Sequence, residues 1–210
     1  HDALENRWVD FVQNKGKSTG AFCASPSEVH PYILISWTHK MREVFVLAHE
    51  LGHAGHSFLT SKNQTPINDN LSLYAIEAPS TMNEMLMANY LMKKSDEPRL
   101  KRWVIASLVA RTYYHNMVTH FLEGYYQREV YKLVDAGKAV QTEDFHRIYK
   151  ETLEKFWGDA VELTDGAELT WMRQPHYYMG LYPYTYSAGL TISTAVSQRI
   201  LKEGQPAIDD

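Results

Sequence analysis

Two histidines four residues apart, with a glutamate directly after the first, stand in His49-Glu50-Leu51-Gly52-His53. An α-helix turns about 100° per residue, so positions four apart share one face and both imidazoles can grip one metal ion. Zinc suits such a pair, because neutral imidazole nitrogen is a good ligand for it and a catalytic site keeps three protein ligands with a fourth position open to water. Glu50 follows His49 by one residue and so points beside that water instead of at the metal. A carboxylate there can take the proton from the water as it attacks a carbonyl, then pass it to the departing amine. Val46, Leu47 and Ala48, just before the motif, supply the apolar flank that a buried site needs.

The third ligand has to come from elsewhere, and the sequence narrows the choice. Metzincin spacing would need histidine at position 59, which is Leu59, and thermolysin-like spacing would need glutamate near Leu71, Ser72 and Leu73. The first acid on the following helical stretch is Glu77, in Ile76-Glu77-Ala78-Pro79-Ser80, with Glu84 two turns beyond on nearly the same face. Glu77 is the expected ligand, and Glu84 the expected partner for the outer nitrogen of a ligand imidazole. His56, three residues after His53, also lies on the ligand face.

These residues need a frame. Thr38 offers a helix cap, and Lys40 to Leu59 follows without proline and with glycine only at Gly52 and Gly55, which reads as a helix of several turns. Upstream, Leu4, Trp8, Phe11 and Val12 recur at helical spacing between Ala3 and Gln13. Ala21-Phe22-Cys23 and Tyr32-Ile33-Leu34-Ile35, around Ser25-Pro26-Ser27, read as a small hairpin, the one clear β signal. The strand near Ala21 to Ala24 is expected to offer an edge to which an extended peptide adds main-chain hydrogen bonds, with Gly20 permitting close approach. Downstream, Ser61 to Asn70 reads as a loop and Leu71 to Lys94 as a helix broken only by Pro79. Arg99 to Asp135 reads as one long helix or two abutting ones with Gly124 as the weak point. Gln141 to Trp157 is another helix, and the aromatic segment His176 to Tyr186 leads into a last one from Ser187 to Lys202. The expected fold is mainly α, with a small antiparallel sheet near the N-terminal end.

The chain has 210 residues, 44% hydrophobic and 22% charged, enough for one well-buried domain or two small ones. Its 21 Lys plus Arg against 25 Asp plus Glu leave a net charge of −4 without a basic stripe, so nucleic acid is not an expected partner. The longest apolar runs are too short to cross a bilayer, so no membrane association is expected. One cysteine, Cys23, cannot make an internal disulfide or a cysteine-based metal site, which fits a reducing, cytoplasmic setting.

The stretch Leu47-Ala48-His49-Glu50-Leu51-Gly52-His53-Ala54-Gly55-His56-Ser57, then Glu77-Ala78-Pro79-Ser80 with Asn83-Glu84, then His176-Tyr177-Tyr178 with Tyr182-Pro183-Tyr184-Thr185-Tyr186, resembles the catalytic region of oligoendopeptidase F, in the thimet-oligopeptidase superfamily of zinc metallopeptidases. Three separated blocks in the same order make the match specific. The resemblance implies a zincin-like helical catalytic domain with His49, His53 and Glu77 as zinc ligands, Glu50 as general base, and His56 as a neighbour of the site. It also implies that His176 and Tyr184 reach the substrate and the tetrahedral intermediate. Tyr182 is a further candidate, because tyrosine spacing in this block differs between the two branches of the superfamily.

Residues 1–210 are therefore expected to form a single zinc-metallopeptidase catalytic domain, a piece of a longer chain whose opposing helical lobe is missing. One zinc ion per chain is expected, with short peptides as substrates cut at internal bonds. A zinc exopeptidase, such as a carboxypeptidase or dipeptidase, shares the motif but would refuse peptides blocked at the C-terminus. A non-catalytic zinc-stabilised module that binds peptides would have no need of Glu50 beside an open coordination position.

Overall fold

The computed structural model describes residues 2–69 and 71–210, and helices dominate it, as the spacing of apolar residues predicts. They divide into two compact units, one reaching from the N-terminal side to Thr112 and including Ala188–Asp210, the other Tyr113–Ser187. No helix among the described residues is long and apolar enough to cross a membrane.

In the first unit, α1 (Asp2–Glu5) is a single turn, followed by β1 (Val9–Asp10), β2 (Ala21–Ala24) and β3 (Tyr32–Ile35). Strands β2 and β3 pair antiparallel in the register Ala21 to Ile35 through Ala24 to Tyr32, so the hairpin is present. The sheet as a whole is mixed rather than antiparallel, because β1 lies parallel to β3 in the order β1-β3-β2. That overturns the helix expected over Ala3 to Gln13. Arg7 takes a left-handed φ of 58°, which ends the helical turn, and the Trp8 carbonyl then accepts from the Ile33 amide at 2.7 Å. Trp8 and Phe11 recur at helical spacing, yet they pack on His30 and Trp37, ring centroids 5.1 and 5.5 Å away. Tertiary contact decides the local structure here.

Helix α2 (Met41–Asn63) carries both motif histidines. Lys40, not Thr38, occupies its cap position; Thr38 serves instead through its amide, 2.6 Å from the Glu43 carboxylate, and its hydroxyl, both donating to Glu43. Helix α3 (Ala78–Lys94) starts seven residues after the expected Leu71, with Pro79 in its first turn, where a missing N–H costs no hydrogen bond. Glu77 thus sits at the cap of α3. Helix α4 (Pro98–Ser107) is capped by the Glu97 carboxylate. Phe45, Ala88 and Val104 form the buried centre of α2, α3 and α4, with Met87, Leu91, Leu100 and Trp103 around it. After α4 the backbone widens into two π-helical stretches, Leu108–Tyr113 and His115–Thr119.

In the second unit α5 (His120–Asp135) packs on α6 (Thr142–Trp157). The break in the long helix falls at the π-helical turns and not at Gly124, which lies inside α5. Helix α7 (Tyr182–Glu203) begins five residues before the expected Ser187 and runs from the second unit into the residues of the first, and α8 (Gln205–Asp209) ends the chain.

The core of the second unit holds Leu122, Tyr126, Val130, Ile148, Tyr149 and Tyr177, with the Tyr149 and Tyr177 hydroxyls hydrogen-bonded at 3.0 Å. Burial pushes all three tyrosine hydroxyls above the ordinary tyrosine range. The fold therefore keeps protons that the unfolded chain releases above about pH 10, so stability falls as pH rises past that point, by up to about 1.4 kcal/mol per pH unit for each tyrosine. In an alkaline titration these three should ionise together with the loss of near-ultraviolet circular dichroism. Ionisation of all 14 tyrosines of the chain before unfolding would contradict this.

Candidate metal centre

The inner face of α2 is built from small and acidic residues as well as apolar ones: Glu43, Phe45, Ala48, Glu50, Gly52 and Ala54 are buried. Gly52 lets the start of α3 come close, since a Cβ at that position would lie 2.5 Å from the Pro79 carbonyl oxygen and 2.6 Å from the Ser80 Cα. Gly189 on α7 does the same for the residue before, where a Cβ would stand 2.7 Å from the Glu77 carbonyl carbon. Asn83 Nδ2 adds a hydrogen bond to the Ala48 carbonyl at 3.1 Å, tying α3 to α2.

This packing brings Glu77 to the histidines. Its Oε2 lies 3.2 Å from His49 Nε2 and 3.3 Å from His53 Nε2. Two ligands on one tetrahedral zinc, each about 2.0–2.1 Å from the ion, stand about 3.3 Å apart, so these three donors fit zinc in type and in spacing. They are the only group of three His, Cys, Asp or Glu side chains among the described residues that could hold a metal ion.

The electrostatics point the same way. Glu77 is 1% exposed, and a carboxylate so buried must be compensated. Burial would raise its pKa, but hydrogen bonds from His49 and His53 outweigh that and hold it well below the carboxylate range. Burial likewise opposes the charged form of His49, yet Glu77 and Glu84 push it up to about 10. Ser80, wholly buried, donates to Glu77 Oε2 at 3.0 Å and fixes the carboxylate from behind.

Glu84 Oε1 lies 2.7 Å from His49 Nδ1, so with the proton on Nδ1 donating to this carboxylate the Nε2 lone pair faces Glu77 and His53. Glu50 is 6% exposed; burial raises its pKa, against the lowering effect of the two histidines. His56 is not among the three converging donors. Its Nδ1 is buried without a hydrogen-bond partner among the described residues, and burial lowers its pKa. Cys23, on β2, is close enough to Glu50 to feel its charge, although burial is the main reason its pKa is raised.

The aromatic block belongs to the second unit. His176, Tyr182 and Tyr186 gather there with ring centroids 5.5–5.9 Å apart, and the Tyr186 hydroxyl is hydrogen-bonded to His176 Nε2 at 3.3 Å. His120 stacks on Tyr186 at 4.2 Å and bonds Glu123 at 2.7 Å through Nδ1. Tyr184 is placed differently: its Cβ would meet a side chain at Gly124 at 3.5 Å, and the residue is 40% exposed. Sequence reasoning passed over Tyr186. The signal lay in the four-residue interval from Tyr182, which puts both on one face only if the helix begins at Tyr182.

A profile of peptidase family M3 matches residues 1–208. Oligopeptidase PepF of Bacillus subtilis strain 168 is 31% identical over 220 residues, covering 99% of this chain and 31% of the relative. Among solved structures, PZ peptidase A determined with an inhibitor superposes with a TM-score of 0.75 at 20% identity, over 99% of this chain and 36% of that one. Oligoendopeptidase F from Enterococcus faecium gives 0.63 at 23% identity, over 80% and 30%. The chain thus spans about a third of the length of the proteins it matches.

Proposed function

Because the chain belongs to peptidase family M3, we propose that it carries a zinc-dependent endopeptidase centre that hydrolyses internal bonds of short, unstructured peptides. The observation that supports this most is the convergence of His49 Nε2, His53 Nε2 and Glu77 Oε2 at the spacing of a tetrahedral ligand set, beside the buried Glu50 carboxylate. In this reading those three residues hold one zinc ion per chain. Zinc bound there supplies Lewis acidity toward the scissile carbonyl and the attacking water.

The remaining chemistry falls to the protein's own groups. Glu50 takes the proton of the attacking water and returns it to the leaving amine nitrogen. Glu84 holds the His49 ring in the tautomer with its proton on Nδ1. For the aromatic block the proposed role, carried by the family resemblance, is neutral hydrogen-bond donation to the substrate as charge develops on the carbonyl oxygen, by His176, Tyr184 and Tyr182. Among the described residues β2 pairs only with β3, and the proposed role of this strand is to add main-chain hydrogen bonds to an extended peptide substrate along its other edge.

The test is metal content by elemental mass spectrometry on the native chain and on His53→Ala and Glu77→Ala variants. One zinc per native chain, falling below about a tenth in each variant that keeps its helical circular dichroism, is the expected result. A folded native chain that takes up no zinc when zinc is added would overturn the assignment.

A further inference from the structure

Glu84 is held at both ends of its carboxylate. Oε1 accepts from His49 Nδ1 at 2.7 Å, and Oε2 accepts from the hydroxyl of Thr112, also at 2.7 Å. Thr112 is 3% exposed and lies 28 residues further along the chain, in the π-helical stretch Leu108–Tyr113. We infer that Thr112 is a positioning residue of the metal centre, fixing the Glu84 carboxylate that in turn sets the His49 imidazole. The inference rests on the metal-centre reading above.

The physical reason starts from the side chain of glutamate. Its terminal torsion is broad and roughly two-fold, so a single hydrogen bond to His49 would leave the carboxylate plane free to swing. A second bond on the other oxygen removes that freedom and turns Glu84 into a rigid acceptor. The imidazole then points its Nε2 at Glu77 Oε2, 3.2 Å away, without having to be ordered by the metal itself. A partner that touches the ligand directly, as Glu84 does, is worth about 10–100-fold in metal affinity, and Thr112, which orders that partner, is expected at the low end of that range.

The π-helical turn explains why a threonine so far along the chain reaches the site. Val104 on α4 is 1% exposed and faces the core of the first unit. In an unbroken α-helix, eight further residues would carry position 112 about 80° round from Val104. A π-helical stretch advances less per residue, so Thr112 stays near the face of Val104 and both are buried. Wide turns are rare and cost hydrogen-bond geometry, and here the buried product is a hydroxyl aimed at Glu84.

The experiment compares zinc affinity, by competition with a chromophoric chelator, in the native chain, Thr112→Val, Thr112→Ser, Glu84→Gln and the Glu84→Gln/Thr112→Val double variant. Valine keeps the shape of threonine without the hydroxyl, and thermal melts of the metal-free chains check the fold. Thr112→Val should weaken zinc binding about tenfold, Thr112→Ser should stay within about twofold of native, and Thr112→Val should add nothing once Glu84 is glutamine. Native affinity in Thr112→Val, or an equal loss in the Glu84→Gln background, overturns the inference. If the native chain binds no zinc, it is the metal reading that fails. The relay is then read in the metal-free chain from the His49 Nδ1 proton by nuclear magnetic resonance. Slow exchange in native and Thr112→Ser with fast exchange in Thr112→Val supports it, and equal exchange in all three refutes it.

Discussion

Changing Glu50 to glutamine should cut peptide hydrolysis about a thousandfold while leaving one zinc per chain. Glutamine has the shape of glutamate and fits the same buried volume, so packing on the inner face of α2 is kept. What it lacks is basicity. It cannot take a proton from water, and general acid–base groups of this kind contribute about 10²–10⁴-fold to rate. Metal binding should survive because the three converging donors are His49, His53 and Glu77. A quenched fluorescent peptide blocked at both ends measures the rate, and elemental analysis of the same sample measures the metal. The blocked ends also separate the readings, since an exopeptidase of the carboxypeptidase kind would not cut that substrate in the native chain. Loss of zinc along with activity would make Glu50 a ligand, and unchanged activity would remove it from the mechanism.

How far the sequence could be read depended on how local each signal was. The His49 to His53 interval needs only helical geometry within α2, and the helix is there. Glu77 could be named from order along the chain, but its position could not, because it depends on Gly52 and Gly189 meeting the backbone of residues 77 to 80 from two other helices. Trp8 and Phe11 misled because their spacing is helical while their partners, His30 and Trp37, lie more than twenty residues away. The start of α7 was missed because Tyr182-Pro183-Tyr184 reads as aromatic and proline-broken, although proline is at home in a first helical turn. That error also hid the Tyr182 and Tyr186 face. Thr112 left no sequence signal at all, since its partner Glu84 is 28 residues earlier and the π-helical turn that aims it has no composition of its own.

The two glycines supply the other large effect. An added methyl at Gly52 would sit 2.5 Å from the Pro79 carbonyl oxygen and 2.8 Å from its carbonyl carbon, and at Gly189 it would sit 2.8 Å from Glu77 Cβ and 2.9 Å from the Ala78 nitrogen. These obstacles are backbone or its immediate branch, so no rotamer change relieves them. Either α3 retreats from α2 and α7, or the helices bend. Overpacking of this kind costs about 1–3 kcal/mol, and the backbone contact puts Gly52→Ala at the upper end or beyond. Because the displaced segment is Glu77 to Ser80, the 3.2 and 3.3 Å spacings to the histidines go with it, and zinc affinity should fall more than tenfold in both variants. Gly55→Ala is the control. It lies on the same helix, three residues after Gly52, with nothing within 4 Å of the added methyl, so there alanine's better helix propensity should act alone and stabilise the chain by up to about 1 kcal/mol. Urea midpoints for the three variants should therefore move in opposite directions, down for Gly52→Ala and Gly189→Ala and up for Gly55→Ala. A Gly52→Ala chain as stable as native and binding zinc as tightly would mean that close approach at Gly52 does not set the third ligand.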